Sequence, residues 1–133
     1  MRDELQQRLV ERWPTWFNIR GDPCHTSMHF GFQHDDGWFD LLWRLCERLE
    51  PIVAVAEKET GQSFEVFQVK QKFGGLRFNP NYSNDDISTL VEAAKAESFQ
   101  TCEVCGQPGE SRGGSSIQTL CELHGRPRKS EGE

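Results

Sequence analysis

The sequence CEVCGQPGESRGGSSIQTLCELH, residues 102–124, constrains the fold more than any other stretch of the chain. Cys102 and Cys105 are separated by two residues, Cys121 and His124 likewise, and fifteen residues lie between the two pairs. Two ligands at this separation can bend around one ion, and Gly106 directly after the first pair permits the tight backbone turn that the bend requires. Three thiolates and one imidazole in this pattern are typical of a structural zinc site.

Four protein ligands would close the coordination tetrahedron, whereas a catalytic zinc site keeps one position open for water or substrate. The pattern therefore predicts one structural Zn²⁺ ion, with ordinary cysteines or a disulfide as the alternatives. We expect residues 106–114 to form the loop of a small hairpin, and residues 119–124 to form a short helix or turn. A treble-clef or ribbon-like zinc knuckle would then occupy a zinc-binding module at residues 101–125.

Length and charge restrict the function classes. The chain has 133 residues and a formal charge of -6, from 15 Lys and Arg against 21 Asp and Glu, which suits a small globular protein and disfavours a strongly basic nucleic-acid-binding surface. No apolar run is long enough to span a membrane, and residues 1–10 lack the apolar core of a signal peptide. We therefore expect a cytoplasmic protein without a membrane partner.

Upstream of the cysteines, the spacing of apolar residues predicts three helices. The first covers residues 3–13 and ends before Pro14. The second covers residues 38–56, with Asp35 or Asp36 as its N-cap, a kink or restart at Pro51 and a stop at Gly61. The third begins after an N-cap at residue 84 or 85.

Strands are predicted at two places. Residues 64–78 favour an antiparallel hairpin with Gly74-Gly75 as its two-residue turn, and the apolar phase slips between Val66 and Phe67 as it would at a β-bulge. A short strand is also predicted at residues 27–33. Together these elements predict an α+β domain over residues 1–100, followed by the zinc-binding module and by a flexible polar tail at residues 126–133.

A second constellation of metal-binding and titratable residues lies within residues 24–36. A loop could bring such side chains onto one ion, or use His29 or His34 as a general base with Asp35 orienting the ring. The intervals fit no well-defined zinc pattern, and the two carboxylates are already explained as helix caps. The residues concerned are Cys24, His25, His29, His34, Asp35 and Asp36.

Three further groups each have a structural and a functional interpretation. Cys46 lies on the apolar side of the second helix, where a buried thiol is favoured over a nucleophile. A basic strip of Lys70, Lys72 and Arg77 on the hairpin could bind a ligand, although the solvated face of a sheet gives the same pattern. An aromatic set could form a ligand platform or a partner hot spot, but core packing is favoured. The set consists of Trp13, Trp16, Phe17, Trp38, Phe39 and Trp43.

The strings DDGWFDLLWRLC at residues 35–46, QVKQKFGGLRF at residues 68–78, and CEVCG with TLCELH resemble a family of small phage and prophage proteins. The resemblance extends over roughly residues 28–124. It implies a phage or prophage setting, and hence the host-cell cytoplasm, but it implies no biochemical activity and supplies no catalytic residues.

Three functions follow as hypotheses. The first is a non-enzymatic, zinc-stabilised adaptor or inhibitor that binds a host or defence protein through an aromatic and acidic surface. The second is nucleic-acid binding through the zinc knuckle, with phosphate contacts from Arg112, Arg126, Arg128 and Lys129. The third is a small metal-dependent hydrolase or nuclease that uses residues 25–36.

Overall fold

The chain was analysed as a computed structural model, which describes residues 1–19, 24, 26–113 and 116–125. Helices and two small antiparallel hairpins make up an α+β fold, as predicted. His25 and the predicted tail at residues 126–133 lie outside the described residues. In chain order the elements are α1 (Asp3–Arg12), two 3-10 helices (Ser27–Phe30 and Asp36–Trp38), α2 (Phe39–Thr60), β1 (Val66–Lys72), β2 (Gly75–Pro80), α3 (Asp85–Ser98), β3 (Glu110–Arg112), β4 (Gln118–Leu120) and α4 (Glu122–Gly125).

The longest helix, α2, continues through Pro51 and does not restart there. A proline inside a helix costs about 3 kcal/mol. The apolar stripe is buried on both sides of it, at Leu49 and Val53, so packing against the core keeps the chain helical. Gly61 ends α2, as predicted, and it adopts the left-handed conformation. None of the helices in the described residues combines the length and apolarity needed to cross a membrane.

The start of α2 differs from the prediction, because neither Asp35 nor Asp36 caps it with a side chain. Trp38 is the N-cap residue, and the 3-10 helix Asp36–Trp38 leads directly into α2. The carboxylate of Asp36 instead accepts a hydrogen bond from the backbone N–H of Arg2 at 2.8 Å and pairs with the Arg2 side chain at 3.1 Å. The N-cap prediction for α3 is confirmed, since Asn84 accepts from the backbone N–H of Ile87.

The strand predicted at residues 27–33 is wrong over most of its length. Ser27–Phe30 is a 3-10 helix, and the Thr26 side chain caps it by accepting from the backbone N–H of Met28. Met28 is fully buried, so its apolar character reflects burial in a turn rather than in a strand. Only Gln33 retains strand pairing, as an isolated parallel bridge to Lys70.

The predicted hairpin exists with its turn displaced by one residue. Lys72 pairs with Gly75, so Phe73 and Gly74 form the two-residue turn in place of Gly74-Gly75. Both have positive φ, 55° and 86° respectively, as a type I′ turn requires. The predicted bulge is confirmed, because the register shifts between Val66 and Gln68.

The aromatic set belongs to the core, so the core-packing interpretation is confirmed. Trp43 is partly buried and the other five side chains are buried. Trp13 stacks on Trp16 at a centroid distance of 5.9 Å, and its indole N–H donates to the Glu50 carboxylate at 2.7 Å. Cys46 is fully buried in the same core, as predicted, and burial raises the pKa of its thiol well above the usual value.

Candidate metal centre

The four predicted ligands come together at the C-terminal end of the described chain. Cys102 and Cys105 lie on the turn that follows α3, Cys121 directly precedes α4, and His124 lies within α4. Their ligand atoms all lie within 4.8 Å of one another, and they form the one group of three or more candidate metal ligands among the described residues. The arrangement is compatible with one metal ion.

Two of the separations between ligand atoms are close to those around a tetrahedral ion, and a third is shorter. Metal–sulfur bonds of about 2.3 Å and metal–nitrogen bonds of about 2.0 Å place tetrahedral sulfur atoms about 3.8 Å apart, and sulfur and nitrogen about 3.5 Å apart. The Sγ atoms of Cys105 and Cys121 are 3.7 Å apart, and Cys102 Sγ lies 3.6 Å from His124 Nδ1. Cys121 Sγ lies 3.2 Å from the same nitrogen. The sulfur separation is far longer than the roughly 2.05 Å of a disulfide bond.

The first ligand pair lies on a knuckle that needs a glycine at its end. Gly106 has a φ of 84°, and its backbone N–H donates to the Cys102 carbonyl at 2.9 Å. A Cβ at this position would lie 3.1 Å from the Gly37 carbonyl oxygen. Both the turn and the neighbouring 3-10 helix thus favour glycine here, as the sequence predicted for the turn.

Backbone N–H groups favour the thiolate form of two of the sulfur atoms. Burial alone would raise the pKa of Cys102, but hydrogen bonds from the backbone N–H groups of Cys121, Cys105 and Val104 outweigh it and lower the pKa. The backbone N–H of His124 is the largest cause that lowers the pKa of Cys121. Thiolates are the form in which cysteine binds a metal ion.

The second hairpin carries the remaining ligands into place. β3 and β4 pair antiparallel from Glu110 opposite Leu120 to Arg112 opposite Gln118. The loop of this hairpin therefore follows residue 112, and the predicted loop at residues 106–114 is wrong because it includes β3. Knuckle, hairpin and helical turn follow one another in the order of a treble clef.

The knuckle is hydrogen-bonded to the start of α2. The backbone N–H of Gly37 donates to the Glu103 carbonyl at 2.7 Å, and the Trp38 indole N–H donates to the Thr101 carbonyl at 2.9 Å. A Cβ on Gly37 would lie 2.2 Å from the Cys102 carbonyl oxygen, so the two backbones approach as closely as glycine allows. A metal ion that holds the knuckle would therefore also hold the N-terminal end of α2.

Glu103, between the first two ligands, is a structural residue that the sequence did not single out. Its side chain is 3% exposed and accepts hydrogen bonds from the Asp35 backbone N–H at 3.0 Å and from the Gln118 amide at 3.3 Å. Burial raises the pKa of this carboxyl. The sequence places Glu103 within the Cys-x-x-Cys pair. It does not indicate the hydrogen bond from Asp35, which lies 68 residues earlier in the chain.

The constellation at residues 24–36 does not form a second metal cluster among the described residues. His29 is exposed, whereas His34 is buried between the rings of Phe32 and Trp38. The backbone carbonyl oxygen of Asp35 lies 2.8 Å from His34 Nδ1. The prediction that the Asp35 carboxylate orients the His34 ring is therefore wrong, because the contact is made by the backbone. Burial lowers the pKa of His34 to about 4, which leaves a neutral imidazole enclosed by aromatic rings.

A cleft of about 470 Å³ lies between the knuckle and the adjoining ends of α2 and α3. Two ion pairs line it: Arg2 with Asp36 at 3.1 Å, and Arg44 with Glu97 at 2.6 Å. Asp40 is the one other charged side chain of the lining among the described residues, so the cleft does not present a strong charge of either sign.

The basic residues of the nucleic-acid hypothesis are only partly within the described chain. Arg112 pairs with Glu110 at 3.2 Å and donates to the Leu120 carbonyl at 3.0 Å, so its guanidinium is already bonded within the hairpin. Arg126, Arg128 and Lys129 lie outside the described residues.

No protein-family model, curated protein or solved structure matches this chain, so its function is inferred from its own geometry.

Proposed function

We propose that this protein is a non-enzymatic, zinc-stabilised protein-binding module, in which one structural Zn²⁺ is held by Cys102, Cys105, Cys121 and His124. The observation that carries the proposal is that Phe73, on the turn between β1 and β2, and Ile117, directly before β4, are exposed and line one recess. Phe73 is 67% exposed and Ile117 37% exposed. We call these two residues the tip patch.

The choice of zinc rests on the chemistry of the donors. Three sulfurs and one imidazole nitrogen are the ligands that a structural zinc ion prefers, and oxygen-seeking cations would not select them. When bound, the ion supplies stability rather than chemistry, because the four protein donors complete its coordination. The chain's own part is to favour the thiolate form of Cys102 and Cys121 with backbone N–H groups and to fix the knuckle against α2.

The tip patch lowers the stability of the protein in the absence of a partner. Phe73 occupies the left-handed backbone region, where a bulky side chain is uncommon and costs of order 1–2 kcal/mol. Its ring gains little burial in return, since most of it is exposed. Strained and exposed apolar residues of this kind concentrate at functional sites, and aromatic side chains are enriched where proteins bind one another.

The partner that we propose is a host or defence protein, and the role is that of an adaptor or inhibitor acting in the cytoplasm. This part of the proposal rests on the resemblance of residues 28–124 to small phage and prophage proteins. The aromatic and acidic surface expected from the sequence is replaced by the tip patch, because the aromatic set lies in the core.

Affinity capture with paired variants tests the proposal. Immobilised wild-type protein, Phe73→Asn and Val55→Asn are exposed to lysate of a bacterial host. Val55 is 55% exposed on α2, which makes it a matched control for the loss of a surface hydrophobic. We expect wild type and Val55→Asn to retain the same lysate protein in equal amounts, and Phe73→Asn to fail to retain it. If every retained protein binds all three baits equally, the tip patch is not a protein-binding surface.

A further inference from the structure

We propose that the outer face of the β1–β2 hairpin is a docking strip for an acidic segment of a partner protein, with the tip patch receiving an apolar side chain of that segment. The strip consists of Lys70, Lys72 and Arg77. This inference rests on the proposed protein-binding function and adds the chemistry of the partner.

The register of the hairpin places the three cations together. Lys70 pairs directly with Arg77, and Lys72 lies two residues further along β1, so all three side chains share one face. The opposite face carries the buried pair Val69 and Phe78, so the cationic face points away from the core. Lys72 is exposed, Lys70 and Arg77 are half-buried, and the Phe99 ring covers this face at Gly75, the residue opposite Lys72. The amides of Gln68 and Asn79 extend the outer face without adding an acid.

The positive charge of the strip is not balanced within the described residues. None of the ion pairs between described side chains involves Lys70, Lys72 or Arg77. Like charges directly opposite each other on a sheet are destabilising. In a chain with 21 acidic residues and a net charge of -6, an unpaired cationic face is the surface that an acidic partner would complement.

The strip ends at the tip patch, which supplies an apolar anchor. Lys72 Nζ lies 5.6 Å from the centre of the Phe73 ring, and a Cβ on Gly74 would lie 3.3 Å from a methyl group of Ile117. A recess of about 450 Å³ between the two hairpin turns is lined by Lys72, Phe73 and Ile117, together with Gln71, Ser116 and Gln118. A segment with carboxylates followed by one large apolar side chain would match this order of features.

An acidic protein segment fits the strip better than a nucleic acid does. Three cations are few for a phosphate backbone, and the net charge of -6 would repel a long polyanion.

Charge reversal within the strip gives a sharp test. Lys70→Glu would place a carboxylate opposite Arg77, which relieves the like-charge pair and should leave the fold intact. Arg48→Glu, at an exposed position of α2, is the control with the same change of net charge. Thermal denaturation of both variants checks that they fold.

The probe is a fluorescein-labelled twelve-residue peptide in which glutamates precede a single phenylalanine, and binding is followed by fluorescence anisotropy. We expect wild type and Arg48→Glu to bind it similarly, and Lys70→Glu to bind it about tenfold more weakly, as loss of a charge pair predicts. We also expect a matched peptide with glutamine in place of each glutamate to bind about tenfold more weakly.

Equal binding of the two peptides, or equal weakening in Lys70→Glu and Arg48→Glu, would overturn the docking strip. Tighter binding of a twelve-nucleotide thymidine oligonucleotide than of the acidic peptide, lost in Lys70→Glu, would also overturn it in favour of nucleic acid. Capture of a protein from lysate that depends on Phe73 but not on Lys70 would leave the proposed function standing and reject only the acidic partner.

Discussion

The hydroxyl of Thr119 donates a hydrogen bond to the backbone carbonyl of Gly74, 45 residues earlier in the chain, at 2.7 Å. Thr119 is fully buried on β4, two residues before the ligand Cys121, and Gly74 forms the turn between β1 and β2. This bond joins the hairpin of the metal centre to the turn that displays Phe73. The metal centre and the tip patch are therefore parts of one packed unit.

Removing the Thr119 hydroxyl should destabilise the protein. Thr119→Val keeps the shape of the side chain but leaves a buried carbonyl without its donor, which costs roughly 1–3 kcal/mol of the free energy of unfolding. Thr119→Ser keeps the hydroxyl and serves as the control. Urea denaturation followed by tryptophan fluorescence measures the difference. If Thr119→Val is as stable as Thr119→Ser, the bond does not join the two hairpins.

Gly37→Ala should weaken both the fold and the metal centre. The new Cβ would lie 2.2 Å from the Cys102 carbonyl oxygen and 2.5 Å from that of Glu103, so backbone must move at a cost of roughly 1–3 kcal/mol. We expect zinc to transfer to a chromogenic chelator faster from Gly37→Ala than from wild type. Gly61→Ala is the control, because open space surrounds it and only its left-handed backbone, about 1 kcal/mol, opposes the substitution. Equal transfer rates from the two variants would contradict the coupling.

Phe73→Asn should stabilise the isolated protein while it weakens partner binding. Asparagine followed by glycine is a preferred type I′ turn, and asparagine tolerates positive φ better than phenylalanine does. We expect a gain of about 0.5–1 kcal/mol in the free energy of unfolding, measured by urea denaturation. A loss of stability would mean that the Phe73 ring contributes packing that outweighs its backbone strain.

His34 should make the stability depend on pH in the acid range. Its pKa is about 4 in the folded protein and near 6.5 when unfolded, so the unfolded chain binds more protons between these values. The free energy of unfolding should therefore rise by about 3 kcal/mol from pH 4 to pH 6.5. This contribution should be lost again as the pH falls through the same range. In His34→Phe this contribution should vanish, whereas the exposed control His29→Gln should keep it. The metal ligands are common to all three proteins, so the differences between their curves report on His34, and identical curves would refute the assignment.

The metal ligands could be predicted from sequence because their geometry is local. Cys102 and Cys105 lie on one tight turn, and Cys121 and His124 on one helical turn, so spacing alone predicts which atoms can converge. Helix α2 and the bulged hairpin were likewise predictable, since their apolar periodicities extend over many residues.

The features that the sequence did not reveal depend on distant contacts. Asp36 has the residue type of a helix cap, but Arg2 occupies its carboxylate from the other end of the fold. Met28 and Phe32 have the apolar pattern of a strand, yet the Thr26 cap turns the chain into a 3-10 helix. The pairing of Lys70 with Arg77 required the exact turn position, which lies one residue earlier than the glycine pair indicated.

The measurement that tests the central claim most directly is the metal content of the purified protein, determined by native mass spectrometry. We expect one zinc ion per chain in wild type and in the control Cys24→Ser, because Cys24 lies outside the ligand cluster. In Cys102→Ser and His124→Ala the ion should be lost, and the folded population should fall, because metal binding and folding are coupled. One zinc ion per chain retained in both ligand variants, or no zinc in the wild type, would contradict the account.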